Sequence, residues 1–217
     1  MKFAVIGLGS FGFNVAKSLY QSGREVLAID RDKERVEEAK SYVTHAVVME
    51  AADKENLEAV GLKNIDVVVV SLGPDLESSI LAVLYLREIG VKRIVAKALT
   101  EDHAKILKTV GANEVIFPER DMAVRTAHRL ISPNVLEYLP LLACLSIQEI
   151  APPDGFIGKS IKELDLINKL GIQVLAVKQL IPEKAAFIPT ADFIVKDSDV
   201  LIILGEEKQL EKVNSLG

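Results

Sequence analysis

Residues 2–30 constrain this chain more than any other stretch. They read KFAVIGLGSFGFNVAKSLYQSGREVLAID: a short apolar run with β-branched residues, three glycines spaced G-x-G-x-x-G, a helical stretch and a second apolar run closed by an acid. Val15/Leu19 and Ala16/Tyr20 fall four residues apart, on one side of a helix. Each part has a physical task. Gly7 lets the strand turn tightly, Gly9 leaves room for a phosphate beside the backbone, and Gly12 lets helix and strand approach closely. The helix N-terminus then presents unpaired N–H groups and a partial positive charge to an anion. Asp30 stands 18 residues beyond Gly12 (30 − 12), at the end of the second strand, where a carboxylate accepts hydrogen bonds from ribose hydroxyls. Strand, turn, helix, strand and acid in this order predict a mononucleotide or dinucleotide site, with Gly7, Leu8, Gly9, Ser10, Phe11 and Gly12 at its phosphates. Asp30 argues against a 2′-phosphorylated ligand, an argument softened by the neighbouring Arg31.

The rest of the first half repeats the alternation. Helices are expected over 33–41 (capped by Asp32), 54–60 (capped by Asp53), 78–89 and 102–110, the last three stopped by Gly61, Gly90 and Gly111. Strands are expected over 45–49, 66–71, 93–98 and 114–117. The uninterrupted β-branched run of the second (DVVVVS) suits a strand buried on both faces of a parallel sheet. Residues 1 to about 120 therefore read as an α/β, Rossmann-like doubly wound parallel sheet. In that architecture ligands sit beyond the C-terminal strand ends. Glu50, Ala51, Ala52, Ser71, Lys97 and Glu119 all follow such ends, like Asp30 and Arg31, and join the glycine turn as candidate binding residues.

A helix over 121–131 follows. The stretch 134–145 is then unusually apolar and reads as a bridge to the next domain and a partner surface. The remainder reads as a small α+β module. It has strands at 146–150, 173–178 and 200–204, a capping box from Ser160 and Glu163, and a final helix at 208–214. Such a small core is marginal alone and predicts dimerisation.

Bulk properties remove several classes. The net charge of −5 over 217 residues disfavours a nucleic-acid partner. One cysteine, Cys144, allows no disulfide within the chain and fits a reducing cytoplasm; its apolar neighbours mark it as a small core residue. Met1-Lys2 runs straight into the first strand, which predicts no leader, and no apolar run approaches the ~20 residues of a membrane helix. No nucleophile elbow, Walker loop or metal-ligand spacing is present. His45, His103 and His128 read as surface or packing residues rather than catalysts. The chain reads as a sensor. An NAD-dependent oxidoreductase, which would need a catalytic group near Ser71 or Lys97, and a nucleotide sensor for a soluble partner remain open beside it.

Phe3-Ala4-Val5-Ile6-Gly7-Leu8-Gly9, Ser10-Phe11-Gly12, Val26-Leu27-Ala28-Ile29-Asp30, Thr44-His45-Ala46-Val47 and Phe117-Pro118-Glu119-Arg120-Asp121-Met122-Ala123 resemble the KtrA/TrkA group of regulator-of-K+-conductance (RCK) proteins. The closing Asp197-Ser198-Asp199-Val200-Leu201-Ile202-Ile203-Leu204-Gly205 resembles the end of that family's C-terminal subdomain. The resemblance implies a nucleotide-binding domain over 1–132, a crossover helix over 133–145 and a C-terminal dimerisation module over 146–217. It implies a cytoplasmic gating subunit whose homodimers build a ring, usually of eight chains, beneath a membrane K+-translocating subunit. ATP, ADP, AMP or NAD(H) would bind at the glycine turn. Asp30 would hold ribose, Lys97 would lie near the phosphates, and Glu119 would help hold Mg2+ or another divalent cation. Two positions depart from the pattern. Close relatives carry Arg, against the terminal phosphate, where this chain has Ser10. Ile167 stands near a position where some members use Arg toward cyclic di-AMP, which argues against that ligand.

Overall fold

The computed structural model describes residues 1–132, 134–142 and 144–214, with the side chains of 184–186 and 214 outside the description. The chain divides into two compact units, Met1–Pro118 and Glu119–Gly217.

The first unit alternates strictly: β1 Lys2–Ile6, α1 Ser10–Gln21, β2 Glu25–Asp30, α2 Lys33–Ala39, β3 His45–Val48, α3 Lys54–Ala59, β4 Val67–Val70, α4 Leu76–Ile89, β5 Ile94–Lys97, α5 Glu101–Val110 and β6 Glu114–Ile116. Among the described residues the strands form one parallel six-stranded sheet in the order β3-β2-β1-β4-β5-β6. The order reverses between β1 and β4, which makes the crevice above these two strands the expected ligand position. Helices α1 and α2 bury Ala16, Val36 and Ala39 on one face. Helices α3, α4 and α5 bury Leu57, Val83, Leu86 and Leu107 on the other. All four residues of β4 are buried, as its β-branched run requires.

Local caps fix the helix starts. Asp32 accepts from the Glu34 N–H at 2.9 Å and Asp53 from the Asn56 N–H at 3.2 Å. Helix α4 starts two residues earlier than its apolar pattern suggests, because Asp75 accepts from the Ser78 N–H at 3.1 Å. Leu86 is fully buried at the centre of this unit. Leu86→Ala is expected to cost about 2–5 kcal/mol, read as a lower urea midpoint at unchanged slope.

The second unit comprises α6 Pro118–Ile131 (whose first residue belongs to the first unit), β7 Val135–Leu142, β8 Leu145–Ile150, α7 Ile161–Leu164, α8 Leu166–Leu170, β9 Gln173–Leu180, β10 Glu183–Phe187, β11 Asp199–Glu206 and α9 Glu207–Asn214. Its strands form an antiparallel sheet ordered β10-β9-β11-β8-β7. Ile150, Ile172, Val177, Leu201, Ile203 and Leu210 make its core. The Ser160–Glu163 capping box forms as expected. Helix α6 thus falls with the second unit, whereas the sequence reading grouped 121–131 with the first domain.

Two expectations are corrected. The stretch 134–145, expected to carry a crossover helix, is strand β7, a turn and the start of β8. Pro140 bars a helix through its centre, and β7 is an edge strand, where proline is tolerated. Pro133 and Ala143 of the expected crossover lie outside the described residues. Cys144 is exposed at the turn between β7 and β8 rather than in the core, because the hairpin tip carries its apolar neighbours outward.

Candidate nucleotide site

The glycine turn is built by close backbone packing. Gly7 has φ +93°, and a Cβ there would lie 2.2 Å from the Ser71 carbonyl oxygen. A Cβ on Gly12 would lie 1.9 Å from the Gly7 carbonyl oxygen. Both positions exclude any side chain, for different reasons: the first also needs a left-handed backbone, the second only space. Gly9 is the N-cap of α1, extended at φ −64° and ψ −178°, without a side-chain cap. Nothing stands within 4 Å of the position a Cβ would take there. The start of α1 is therefore open to an incoming oxygen, with unpaired N–H groups facing outward.

Asp30 fastens this turn to the end of β2. It is buried, at 6% exposure. Its Oδ2 accepts the Leu8 N–H at 2.6 Å and its Oδ1 accepts the Asp32 N–H at 2.9 Å. Arg35 Nη1 stands 3.7 Å from the same Oδ2. Each carboxylate oxygen keeps acceptor capacity for a ligand hydroxyl beyond its backbone donor.

Gly7, Gly9, Asp30, Arg31, Glu50, Ala51 and Ser71 line one cavity of about 330 Å³, within the range of small-molecule sites. Gly12 and Leu8 lie behind it and lock the turn, Ser10 and Phe11 open α1, and Ala52 adjoins Ala51. Lys97, at the end of β5, places Nζ 6.0 Å from the Phe11 ring centroid, which brings an ammonium to the head of α1. Glu119 is exposed in the first turn of α6, in the second unit. Among the described residues no group of three or more His, Cys, Asp or Glu side chains is placed to hold a metal ion. A larger cavity of about 570 Å³ sits at the opposite strand ends, by Lys2, Glu25, Thr44 and His45. It has neither glycine turn nor helix N-terminus, so its size does not make it the nucleotide site.

Sequence reasoning missed Arg35, Gly73 and Asp75, which also line the cavity. Asp75 was detectable as an N-cap in Gly-Pro-Asp before an apolar helix. Its carboxyl is held below the usual range, first by the Ser78 N–H, with Arg31 adding to the effect.

The histidines stay outside this cavity. His103 is buried, and its Nε2 lies 3.0 Å from Ser79 Oγ across α4 and α5. Burial lowers its pKa from the ordinary 6.5. The folded protein therefore holds it neutral while the unfolded chain protonates it. Its contribution is complete above about pH 6.5 and is lost as the pH falls from there through the lower folded value. Wild type should lose more melting temperature than His103→Gln between about pH 6.5 and pH 5. Equal losses would contradict this assignment.

Comparison with known proteins settles the family. The TrkA-N domain matches residues 3–118 and the TrkA-C domain residues 147–216. The chain belongs to the TrkA-N/TrkA-C family. It is 38% identical over 211 residues to Ktr system potassium uptake protein C of Bacillus subtilis, covering 97% of this chain and 95% of that one. It is 36% identical over 216 residues to Ktr system potassium uptake protein A of Vibrio alginolyticus, covering 99% and 97%. The fold of the whole chain matches the GsuK channel with a TM-score of 0.70 at 16% identity, over 99% of this chain and 39% of the GsuK chain. The TrkA-N/TrkA-C chain thus spans less than half of the channel polypeptide whose fold it shares. A GsuK channel bound to NAD has been solved, with a TM-score of 0.65 at 16% identity over 99% of this chain and 39% of that one.

Proposed function

We propose that this chain is a nucleotide-sensing regulatory subunit that controls K+ flux through a membrane partner. The observation that carries the reading is a complete nucleotide turn, anchored by Asp30, in a chain collinear with Ktr potassium uptake proteins along nearly its whole length. Its role is regulatory rather than catalytic: the cavity offers phosphate and ribose contacts, and its carboxylates Asp30, Glu50 and Asp75 each stand against Arg35 or Arg31.

The ligand is an adenine nucleotide or NAD(H). Its phosphates sit at Gly7–Gly12 and the head of α1, with Lys97 near them and its ribose on Asp30. Ser10 offers a hydroxyl without charge at the turn, so the terminal phosphate gains little there. A divalent cation, where present, is held chiefly by the phosphates and their waters. The chain acts as a homodimer within a ring. Helix α6 supports this, since it buries no residue in its own unit and exposes Leu130 at 79% and Ile131 at 77%. No helix among the described residues is long and apolar enough to cross a membrane, and the reading assigns the K+ path to a membrane partner. The ligand works by contacting one ring shape better than another, since only such a difference shifts an equilibrium.

The test is K+ uptake by a bacterium stripped of its own uptake systems and supplied with a Ktr-type membrane subunit. Co-expression of the chain is expected to restore growth at low K+, and Gly12→Ala to lose it. Uptake that is the same with and without the chain would overturn the reading.

A further inference from the structure

Arg31 occupies the position where nucleotide sites that accept a 2′-phosphate place a cation, directly after the ribose-binding strand end. Its side chain is turned to other uses. Arg31 Nη1 lies 3.4 Å from Asp75 Oδ2 and 3.8 Å from Glu50 Oε2. Asp75 precedes α4, Glu50 follows β3, and all three residues line the same cavity. The guanidinium therefore reaches from the end of β2 across β1 toward the loop after β4, over the adenosine end of the site. The second arginine is occupied as well. Arg35 stands 3.7 Å from Asp30 and 3.6 Å from Asp32. Four carboxylates thus surround two guanidiniums, leaving this end of the cavity net negative.

We propose that Arg31 is a specificity-determining residue held out of service: Glu50 and Asp75 sequester it, so that the site takes adenosine with a free 2′-hydroxyl and rejects the 2′-phosphorylated form. The inference rests on the nucleotide reading of this cavity and goes beyond it, because it assigns the choice between two ligand classes to a three-residue ion cluster. Asp30 alone would repel a 2′-phosphate. With Arg31 free beside it, the charges at the ribose would nearly cancel; with Arg31 committed to two acids, they do not. A guanidinium recognises a phosphate through paired N–H donors, so its availability decides that contact.

The test compares binding of ADP and of adenosine 2′,5′-bisphosphate to the full chain by calorimetry. The double variant Glu50→Gln/Asp75→Asn releases Arg31 with little change in shape, and asparagine caps α4 as well as aspartate does. Wild type is expected to prefer ADP by at least about tenfold. The double variant should shift the ratio toward the bisphosphate by about tenfold, and adding Arg31→Ala should return it. The triple variant separates capture by Arg31 from a general gain in anion affinity. A ratio unmoved in the double variant, a shift that persists in the triple, or equal binding of both ligands by wild type overturns the proposal. Binding of neither ligand to wild type also overturns the proposal, and the nucleotide reading itself falls only if ATP, AMP, NAD+ and NADH fail to bind as well, a distinguishable failure.

Discussion

Gly12→Ala is expected to abolish nucleotide binding and to destabilise the first unit by roughly 3 kcal/mol, at the upper end of overpacking effects. The added Cβ would sit 1.9 Å from the Gly7 carbonyl oxygen, a backbone atom with no rotamer to relieve the clash. Relief must come from moving α1 off the β1 turn, which also carries the phosphate-facing N–H groups away. Stability and binding should therefore fall together. Gly9→Ala is the control, since its Cβ meets no atom within 4 Å. It should fold with near-normal stability and lose affinity only through the space it takes from the ligand. Urea unfolding and calorimetry on both variants separate the two roles, and a fully stable, ligand-binding Gly12→Ala protein would refute the packing argument.

The second large effect is at Asp30. Asp30→Asn is expected to weaken nucleotide binding by roughly 10- to 100-fold, the value of one or two charge-assisted hydrogen bonds. It should also cost about 1–3 kcal/mol of stability. The wild-type carboxylate accepts two backbone donors, Leu8 N–H and Asp32 N–H, through its two oxygens. An amide can satisfy one and turns its NH2 toward the other. Asp30 thus couples the glycine turn to the ribose end even before a ligand arrives. A variant that weakens binding without loss of stability would show that this coupling is absent.

The parts of this site that are readable in the sequence are the local ones. Gly7, Gly9, Gly12 and Asp30 belong to one βαβ unit, and the chemistry of each follows from its neighbours in the chain. The ion cluster around Arg31 is not local, since Asp75 lies 44 positions away and the pair exists only because β2 and β4 flank β1 in the same sheet. The stretch 134–145 misled for a different reason. Its apolar density suits a helix face as well as a strand, and Pro140, which decides between them, signals an edge strand only once a neighbouring strand is known. Strand β10 escaped notice because Glu183-Lys184-Ala185-Ala186 has little β propensity; its pairing with β9 comes from the turn between them. Cys144 shows the limit of neighbour-based burial. Leucines around it say apolar, and the hairpin tip says exposed.

The central claim is that the cavity at the glycine turn binds an adenine nucleotide. The direct measurement is thermal unfolding of the full chain with ATP, ADP, AMP, NAD+ and NADH at equal concentration, with and without Mg2+. Ligand at 100 times its dissociation constant should add about 2.7 kcal/mol of stability, well within reach of a melting curve. The account predicts a raised melting temperature with at least one of these ligands in wild type and none in Gly12→Ala. Melting curves of wild type that no ligand moves, with or without Mg2+, would contradict it.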